Sequence, residues 1–481
     1  MDKKILSDLR PQKVFEYFEA VSAIPRGSGK CSAISAYCEA FAKEHALECV
    51  RDEADNVIIR KPATAGYEDK PSVILQGHLD MVWEKNAESD INFETDGLSL
   101  IVDGDFVHAD GTTLGGDDGI AVAMFLALLE SNDIPHPALE VVLTTDEETG
   151  MNGAFALDAS LLKSKLMINL DSEEEGTLWV SCAGGARVDI SVPCELVKAK
   201  GTPCEISVSG LHGGHSGAEI HVGYANANIL LARVLKEMEK HIDFSLAHIS
   251  GGTMDNAITR DSKCIIYLRS DADALYKLAL KMQTELRKEF AAVDPSICVK
   301  VNQADFSGEA FSKESGSNLI KLLNSLPNGV IKMSESIKGL VQTSLNLGVV
   351  KTIESGVSLT FSVRSSVDAE KDQLISKLKE ISVNGGASAN AHSEYPAWPY
   401  KEDSVLRDKM ADIYKEMFGK EMTVTAIHAG LECGLFCGKI EGLDCVSLGP
   451  DMFDIHSPSE RLSISSTERV WNYLLQVLKR L

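Results

Sequence analysis

The chain has 481 residues, about three times the ~150 residues that one domain usually takes, so we expect more than one folded unit. Lysine and arginine number 47 and aspartate and glutamate 71, and the resulting net charge of −24 argues against a nucleic-acid-binding protein. Eleven cysteines without a Cys-x-x-Cys pair are not typical of a secreted disulfide framework or a zinc ribbon. The composition therefore predicts a reducing compartment and a cytoplasmic location.

The amino-terminal third of the chain alternates short β-branched runs with segments of helical periodicity. This pattern is typical of a mostly parallel sheet covered by helices. Three such runs lie at residues 72–76, 140–144 and 166–170, a fourth follows at 445–448, and each ends in a polar cluster. Open α/β sheets bind ligands at the carboxyl ends of their parallel strands, so we expect a functional site at these four ends.

The pattern changes between residues 187 and 396, where alternating strands accompany long amphipathic helices at 272–290 and 369–381. We interpret this segment as an inserted α+β domain. The catalytic domain would then be discontinuous and comprise residues 1–186 and 397–481. The predicted fold class is α/β, with a mostly parallel-sheet domain that is interrupted by the insert.

Apolar stretches do not indicate a membrane protein. The first ten residues contain no run suited to a signal peptide, and the longest apolar run, residues 121–129, is far shorter than the ~20 residues that cross a bilayer. We interpret that run as a buried helix. Residues 468–481 carry apolar side chains at helical spacing, which predicts a helix packed on the protein's own core, with a membrane-surface or partner-binding helix as the alternative.

Histidine and acidic residues cluster at the predicted strand ends. His78 and Asp80 follow the first run, and in an extended segment their side chains point the same way. Such a carboxylate can hold the second ring nitrogen of a metal-binding imidazole, although a structural hydrogen-bonded pair fits the same spacing. Asp117 and Asp118 follow a glycine-rich turn at the start of an apolar helix, where helix capping accounts for one acid but not for two.

Further chemical groups follow the other runs. Glu147 and Glu148 come after the second run, Asp171 closes the third, and His456 lies in a loop after the fourth. Neighbouring carboxylates raise each other's pKa, so a bound cation or a proton-transfer role accounts for them, with a solvated acidic loop as the alternative. Together these nitrogen and oxygen donors suit two divalent ions, zinc first and manganese or cobalt next.

Five motifs occur in order along the chain: His78-Leu79-Asp80, Gly115-Gly116-Asp117-Asp118-Gly119, Glu147-Glu148-x-Gly150, Asp171 and His456-Ser457-Pro458. In this order they resemble the signature of the two-zinc exopeptidases, a family that includes carnosinases, aminoacylases and glutamate carboxypeptidases. Longer stretches at 76–82, 111–115, 169–176, 210–227 and 428–436 are similar to the bacterial aminoacyl-histidine dipeptidases of the PepD type. The resemblance extends over nearly the whole chain.

This resemblance implies a role for each motif residue. Five residues would bind two zinc ions per subunit: His78, Asp117, Glu148, Asp171 and His456. Asp117 would bridge the ions, with His78 and Asp171 completing one site and the remaining two ligands the other. Asp80 would orient His78, and Glu147 would act as the general base.

The resemblance also implies roles for residues of the insert. His215 would stabilise the oxyanion, and Asn256 and Arg364 would hold substrate oxygens or the terminal carboxylate. Related sequences usually have proline where this chain has Thr259, and an ordinary salt bridge is the alternative for Arg364. Glu432, in the last matching stretch, would meet the substrate amine. The insert would serve as a lid and as the dimerisation domain of a homodimer.

The function implied is metal-dependent hydrolysis of dipeptides, such as β-alanyl-histidine and other Xaa-His peptides and broader dipeptides, by a water activated between two zinc ions. Two alternatives keep the metals: deacylation of N-acyl amino acids and an aminopeptidase activity on short peptides. A third is an inactive metal-binding scaffold, which we would expect to lack a ligand or the base, and none is missing. We expect no nucleic-acid or membrane partner.

Overall fold

The computed structural model describes residues 5–335 and 337–481. Contacts within the chain divide it into two units. The first unit comprises the described residues up to Ser181 together with Trp398–Ala426 and Leu431–Leu481. The second comprises Cys182–Ala397 and Ile427–Gly430. All eleven cysteines lie within the described residues, and none of them forms a disulfide.

The helices of the described residues are α1 (Gln12–Ser22), α2 (Ser32–Glu44), α3 (Gly116–Glu130), α4 (Asn152–Ala156), α5 (Ala227–Met238), α6 (Ala272–Glu289), α7 (Lys313–Ser325), α8 (Asp368–Asn384), α9 (Val405–Phe418), α10 (Glu432–Lys439) and α11 (Ile464–Arg480). The first eight strands in chain order are β1 (Glu48–Arg51), β2 (Val57–Lys61), β3 (Val73–His78), β4 (Leu100–Asp103), β5 (Phe106–Ala109), β6 (Leu139–Thr144), β7 (Leu166–Asn169) and β8 (Thr177–Cys182). They are followed by β9 (Gly184–Pro193), β10 (Leu196–Lys198), β11 (Thr202–Ser209), β12 (Gly214–His215), β13 (Phe244–Gly251), β14 (Ala257–Ile258), β15 (Ser262–Leu268), β16 (Cys298–Gln303) and β17 (Glu309–Phe311). The last strands are β18 (Gly329–Met333), β19 (Val341–Ile353), β20 (Gly356–Ser365), β21 (Ser388–Tyr395), β22 (Thr423–Ile427), β23 (Asp444–Ser447), β24 (Met452–Phe453) and β25 (Arg461–Ser463).

The main sheet of the first unit has the strand order β1-β2-β6-β3-β7-β23-β8-β22. Its central strands β6, β3, β7 and β23 are parallel, and they are the four runs predicted from the sequence. The strands β1, β2 and β8 pair in the antiparallel sense on either side. The predicted α/β class is confirmed. Because the four central strands run in one direction, the polar residues that follow them lie at one edge of the sheet.

Helix α3 lies within the core of this unit. Residues 120–129 are all buried, as the apolar run predicts, and the helix packs against α1 and β3. The helix follows Gly115, whose φ of 63° is in the left-handed region that favours glycine. Asp117 and Asp118 are therefore buried, because they lie at the start of a helix that is itself surrounded by the core.

The carboxyl-terminal helix α11 packs on the same core, as the sequence predicts. The buried side chains of its apolar face include Val470, Tyr473, Leu474, Val477 and Leu478. The Tyr473 hydroxyl donates a hydrogen bond to the Met410 carbonyl oxygen at 2.7 Å. Within the part of the chain that the structure describes, no helix is long and apolar enough to cross a membrane.

The second unit is built on a nine-stranded sheet in the order β16-β11-β15-β13-β19-β20-β9-β21, with β18 paired to β19. Neighbouring strands such as β19, β20 and β9 are antiparallel. Every second residue of β11 is buried, because one face of the sheet is covered by helices while the other is more open. Residues of α5, α6, α7 and α8 form a separate hydrophobic core with this sheet.

We expect Leu474→Ala to lower the free energy of unfolding of the first unit by about 2–5 kcal/mol, because it leaves a cavity in that core. All four tryptophans of the chain belong to the first unit, so their fluorescence during urea unfolding reports on this unit. Asn472→Ala, on the exposed side of the same helix, is the control and should change that free energy by less than about 0.5 kcal/mol. Equal effects of the two variants would contradict the packing of α11.

Candidate metal centre

Asp117 lies between two histidines at the carboxyl edge of the parallel strands. Its Oδ1 is 3.0 Å from His78 Nε2, and its Oδ2 is 3.1 Å from His456 Nε2. His78 is the last residue of β3, and His456 lies in the loop between β24 and β25. Asp117 thus presents one carboxylate oxygen to each ring, which is the arrangement needed for a group shared by two metal sites.

Two further carboxylates face the same histidines. Asp171 Oδ1 is 3.3 Å from His78 Nε2, and Glu148 Oε1 is 2.9 Å from His456 Nε2. The side chains of the three carboxylates are at most 8% exposed, whereas that of His456 is 44% exposed. The structure therefore brings all five predicted ligands together in the first unit.

The charges in this pocket depend strongly on one another. Burial lowers the pKa of His78, but the carboxylates of Asp171 and Asp117 outweigh this effect and raise that pKa well above its ordinary value. Contacts with Asp117 and Glu148 raise the pKa of His456 to about 11. Burial raises the pKa of Asp171 to about 7. The pocket therefore favours additional positive charge, which a divalent cation supplies.

The donor atoms fit such a cation. The ligand atoms of His78, Asp117 and Glu148 lie within 4.8 Å of one another, and so do those of His78, Asp118 and Asp171. Asp118 Oδ1 is buried and has no hydrogen-bond partner among the described residues. Imidazole nitrogens with carboxylate oxygens suit zinc, and the same donors bind manganese and cobalt.

Asp118 has no assigned role in the sequence-based prediction, yet it belongs to this cluster. It is fully buried, and its Oδ2 accepts the backbone N–H of His78 at 3.2 Å. Gly77 makes this contact possible, because a Cβ at that position would overlap Asp118 Oδ2. Burial and the charge of Asp171 raise the pKa of Asp118 well above its ordinary value. The signal in the sequence was the second acid of the pair, which helix capping did not explain.

Asp80 connects His78 to the turn that carries Glu147 and Glu148. Its Oδ1 is 3.4 Å from His78 Nδ1 and accepts the Glu147 N–H at 3.0 Å. Its Oδ2 accepts the Glu148 N–H at 3.3 Å and the Ser28 hydroxyl at 2.8 Å. This geometry suits a carboxylate that orients a metal-binding imidazole. Burial and the charge of Asp171 raise the pKa of Glu147 well above its ordinary value.

Glu432 is fully buried at the same edge of the sheet. One of its oxygens, Oε2, accepts hydrogen bonds from Gln76 Nε2 at 2.5 Å and from the Thr144 hydroxyl at 2.6 Å. The other oxygen, Oε1, has no hydrogen-bond partner among the described residues. Burial raises the pKa of Glu432 to about 8. One carboxylate oxygen of Glu432 is thus held by residues of β3 and β6, whereas the other has no such partner among the described residues.

The predicted residues His215, Asn256 and Arg364 belong to the second unit. Strand β12, which ends in His215, pairs with β14, and the Ser216 N–H donates to the Asn256 carbonyl oxygen at 2.8 Å. His215 Nδ1 accepts the Ala218 N–H at 3.0 Å, which places the ring proton on Nε2. Burial and the charge of Arg364 lower the pKa of His215, so this imidazole is a neutral hydrogen-bond donor.

Arg364 lies on β20 and is only 9% exposed. Its Nη1 donates to the Tyr395 hydroxyl at 3.1 Å, whereas its Nε has no hydrogen-bond partner among the described residues. Arg269, at the end of β15, instead forms an ion pair with Asp243 at 2.8 Å. The ordinary salt bridge considered for Arg364 is therefore not seen within the described residues, whereas Arg269 forms one.

His428 belongs to the second unit and was not predicted as a site residue, although it begins one of the matching stretches. Its Nε2 is 2.7 Å from the Ser344 hydroxyl, and its Nδ1 has no hydrogen-bond partner among the described residues. Burial and the charge of Arg364 lower the pKa of His428 to about 3. A neutral imidazole and a buried guanidinium thus share one region of this unit.

Comparisons with known proteins agree with this geometry. Residues 74–480 match the peptidase family M20/M25/M40. The chain is 39% identical over 479 residues to the cytosol non-specific dipeptidase of Escherichia coli K12, with 99% of each chain covered. The structure of the aminoacylhistidine dipeptidase from Vibrio alginolyticus matches with a TM-score of 0.92 and 35% identity, covering 99% of this chain and 98% of that one. The aminopeptidase PepT of Bacillus cereus, 14% identical with a TM-score of 0.56 and 98% of both chains covered, shares the fold.

The ordered motifs, the clustered ligand set and these matches together show that the chain belongs to the peptidase family M20/M25/M40, as its resemblance to the two-zinc exopeptidases predicts.

Proposed function

We propose that this chain hydrolyses dipeptides in a metal-dependent reaction, with Glu147 as the general base. The observation that carries this proposal is the Asp117 carboxylate between His78 and His456, with two more carboxylates facing the same rings. Two relatives along nearly the whole chain are named as dipeptidases, one non-specific and one for aminoacyl-histidine. The proposed substrates are therefore Xaa-His dipeptides such as β-alanyl-histidine, together with other dipeptides.

Zinc is the proposed metal, with two ions per subunit and with manganese or cobalt as substitutes. His78, Asp117 and Asp171 would hold one ion, and Asp117, Glu148 and His456 the other. Bound divalent ions would polarise the scissile carbonyl group and lower the pKa of the attacking water.

The residues of the chain perform the proton transfers. Glu147 removes a proton from the attacking water and delivers it to the leaving amine. Asp80 holds the backbone of Glu147 while its carboxylate faces His78 Nδ1, so one side chain orients both a ligand and the base. His215 donates from Nε2 to the oxyanion, an interaction that is worth about 3–4 kcal/mol in related sites.

The buried Arg364 supports the recognition of a substrate carboxylate. An unpaired buried charge is unfavourable, and an anionic ligand removes that penalty. The guanidinium can pair with a carboxylate through two parallel hydrogen bonds, which would select peptides with a free carboxyl terminus. Asn256 is proposed to hold a substrate oxygen, and the uncommitted Oε1 of Glu432 to accept a hydrogen bond from the substrate amine.

A cytoplasmic location and a homodimer formed through residues 187–396 complete the proposal. The name of the Escherichia coli relative, a cytosol dipeptidase, supports the location. Light scattering on the purified chain tests the dimer, and a monomeric mass would remove it from the proposal.

Removal of metal by a chelator is expected to abolish hydrolysis, and zinc, manganese or cobalt should restore it. The restored enzyme should cleave β-alanyl-histidine and several other dipeptides, with product release followed by chromatography. An N-acetyl amino acid and a tripeptide complete the panel. Cleavage confined to the acetylated compound or to the tripeptide would contradict the dipeptidase proposal. Purified protein without bound transition metal that still shows no hydrolysis after zinc or manganese is added would favour the inactive scaffold.

Glu147→Gln and Glu148→Gln test the separate roles of two adjacent carboxylates. The first variant should retain its metal and lose about 10²- to 10⁴-fold in kcat, because it removes the general base. The second should bind less metal, because it removes a ligand. Metal content by mass spectrometry and dipeptide turnover measure the two effects. An active Glu147→Gln variant would show that the base is another group.

Arg364→Ala should lower kcat/KM for a dipeptide about 10- to 100-fold, since a hydrogen bond to a charged group contributes about 1.5–3 kcal/mol. It should have little effect on the corresponding dipeptide amide, which lacks the terminal carboxylate. Arg269→Ala is the matched control, because that arginine is paired with Asp243. An equal loss on the free acid and on the amide would argue against carboxylate recognition by Arg364.

A further inference from the structure

Arg26 is a buried cation of the first unit that no step of the proposed reaction uses. It is 1% exposed, and its Nη1 donates to the carbonyl oxygens of Leu79 at 3.0 Å and of Asp80 at 2.9 Å. Its Nη2 donates to the carbonyl oxygen of Gly115. The Arg26 carbonyl oxygen in turn accepts the Met81 N–H at 3.1 Å. One guanidinium therefore joins the segment after β3 to the turn at the start of α3. This turn, residues 114–116, is called the glycine turn.

Glu460 holds the same glycine turn through its N–H groups. It is 2% exposed and follows His456 by four residues. Its Oε2 accepts the N–H of Leu114 at 2.7 Å and that of Gly115 at 3.0 Å, and its Oε1 accepts the N–H of Gly116 at 2.7 Å. Three consecutive backbone donors thus converge on one buried carboxylate.

The glycines of the motif make room for these two side chains. A Cβ on Gly115 or on Gly119 would overlap Arg26 Nη2, and a Cβ on Gly116 would lie 3.3 Å from Glu460 Oε1. The glycine pattern around the acids is therefore explained by the approach of Arg26 and Glu460 to the backbone, in addition to the left-handed φ of Gly115.

We propose that Arg26 and Glu460 are positioning residues of the metal centre, which hold the backbone on both sides so that Asp117 faces both histidines. Their backbone partners include the residue after His78 and the residue before Asp117. Arg26 binds the carbonyl side of the turn and Glu460 the N–H side, so the turn is fixed in two opposite directions. This inference rests on the proposed metal-dependent function. In this proposal both side chains act through the backbone groups that they bind.

Glu460→Gln tests this role directly, because it replaces one acceptor oxygen by an amide group that only donates hydrogen bonds. The affinity of the full chain for Zn²⁺ alone, measured by competition with a chromogenic chelator, should fall about 10- to 100-fold, as is typical when a group that orients a metal ligand is removed. At saturating zinc, kcat for a dipeptide should fall while KM stays near that of the unmodified chain, because the substrate-binding groups are unchanged.

Glu140→Gln is the matched control for a buried carboxylate that binds a loop elsewhere in the same unit. Glu140 is 5% exposed, and its Oε2 accepts the N–H groups of Lys163 at 3.0 Å and of Ser164 at 2.8 Å. This variant should lower the urea midpoint reported by tryptophan fluorescence and leave zinc affinity unchanged. An equal loss of zinc affinity in both variants would overturn the positioning role.

Arg26→Lys is a second variant, since an ammonium group lacks the planar fork that reaches three carbonyl oxygens. It should weaken zinc binding in the same direction. Unchanged zinc affinity in the folded variants, or failure of both variants to fold while Glu140→Gln folds, would overturn the proposal in favour of a role in the fold alone. If the unmodified chain binds zinc but does not hydrolyse dipeptides, the proposed function fails while the zinc-affinity test still decides the positioning role.

Discussion

The site depends on burying several carboxylates beside two histidines without enough positive charge from the protein to balance them. Asp117, Asp118 and Asp171 are all at most 9% exposed, and burial raises the pKa of Asp171 to about 7. Mutual repulsion and loss of hydration both favour protonation of Asp118 and Asp171, whereas contacts with His456 and His78 outweigh burial at Asp117 and lower its pKa. The pKa values of the histidines also rise, that of His456 to about 11, because the neighbouring carboxylates favour the charged imidazole. A divalent cation satisfies both demands at once, because it neutralises the acids and accepts the neutral imidazoles as ligands.

Much of the first unit holds this unfavourable cluster in place. Four parallel strands end at one edge, so residues that are distant in sequence meet there. Behind the candidate ligands, backbone groups are held by buried charged side chains: Asp80 accepts the N–H groups of Glu147 and Glu148, and Glu460 accepts three N–H groups of the glycine turn. Charge-assisted hydrogen bonds of this kind are short and strong in a low dielectric. The candidate ligands are therefore attached to backbone segments that buried side chains hold by hydrogen bonds.

The second unit contains a different unbalanced charge. Arg364 is buried without an ion-pair partner among the described residues, and the neighbouring His428 is held neutral. The neutral His215 adds a donor at Nε2. A carboxylate and a carbonyl oxygen are the groups that this set of donors would bind, and both occur in a dipeptide. Each unit thus carries buried polar atoms that have no hydrogen-bond partner among the described residues.

The central strands and the buried helix were predictable from the sequence, because β-branched runs and an apolar run are local patterns. The observed boundaries differ by only a few residues: the run at 72–76 lies in the strand Val73–His78, and the run at 121–129 lies in the helix Gly116–Glu130. The ligand types were also recognisable, since histidines and acids directly after strands form ordered motifs. Asp118 was marked only as the second acid of a pair, and His428 had no distinguishing pattern, because their surroundings depend on burial and on neighbours from other strands.

By itself the sequence determined the α/β class, the membership of the family and the residue types available to bind metal, because these are encoded in periodicity and in the order of short motifs. Only the tertiary structure decided that Asp117 faces both histidines and that Arg26 and Glu460 bind the same turn. It also decided that one oxygen of Glu432 has no hydrogen-bond partner among the described residues. Those contacts join residues as far apart as Leu114 and Glu460. No local pattern marks them, since each arises from the three-dimensional meeting of separate strands and loops.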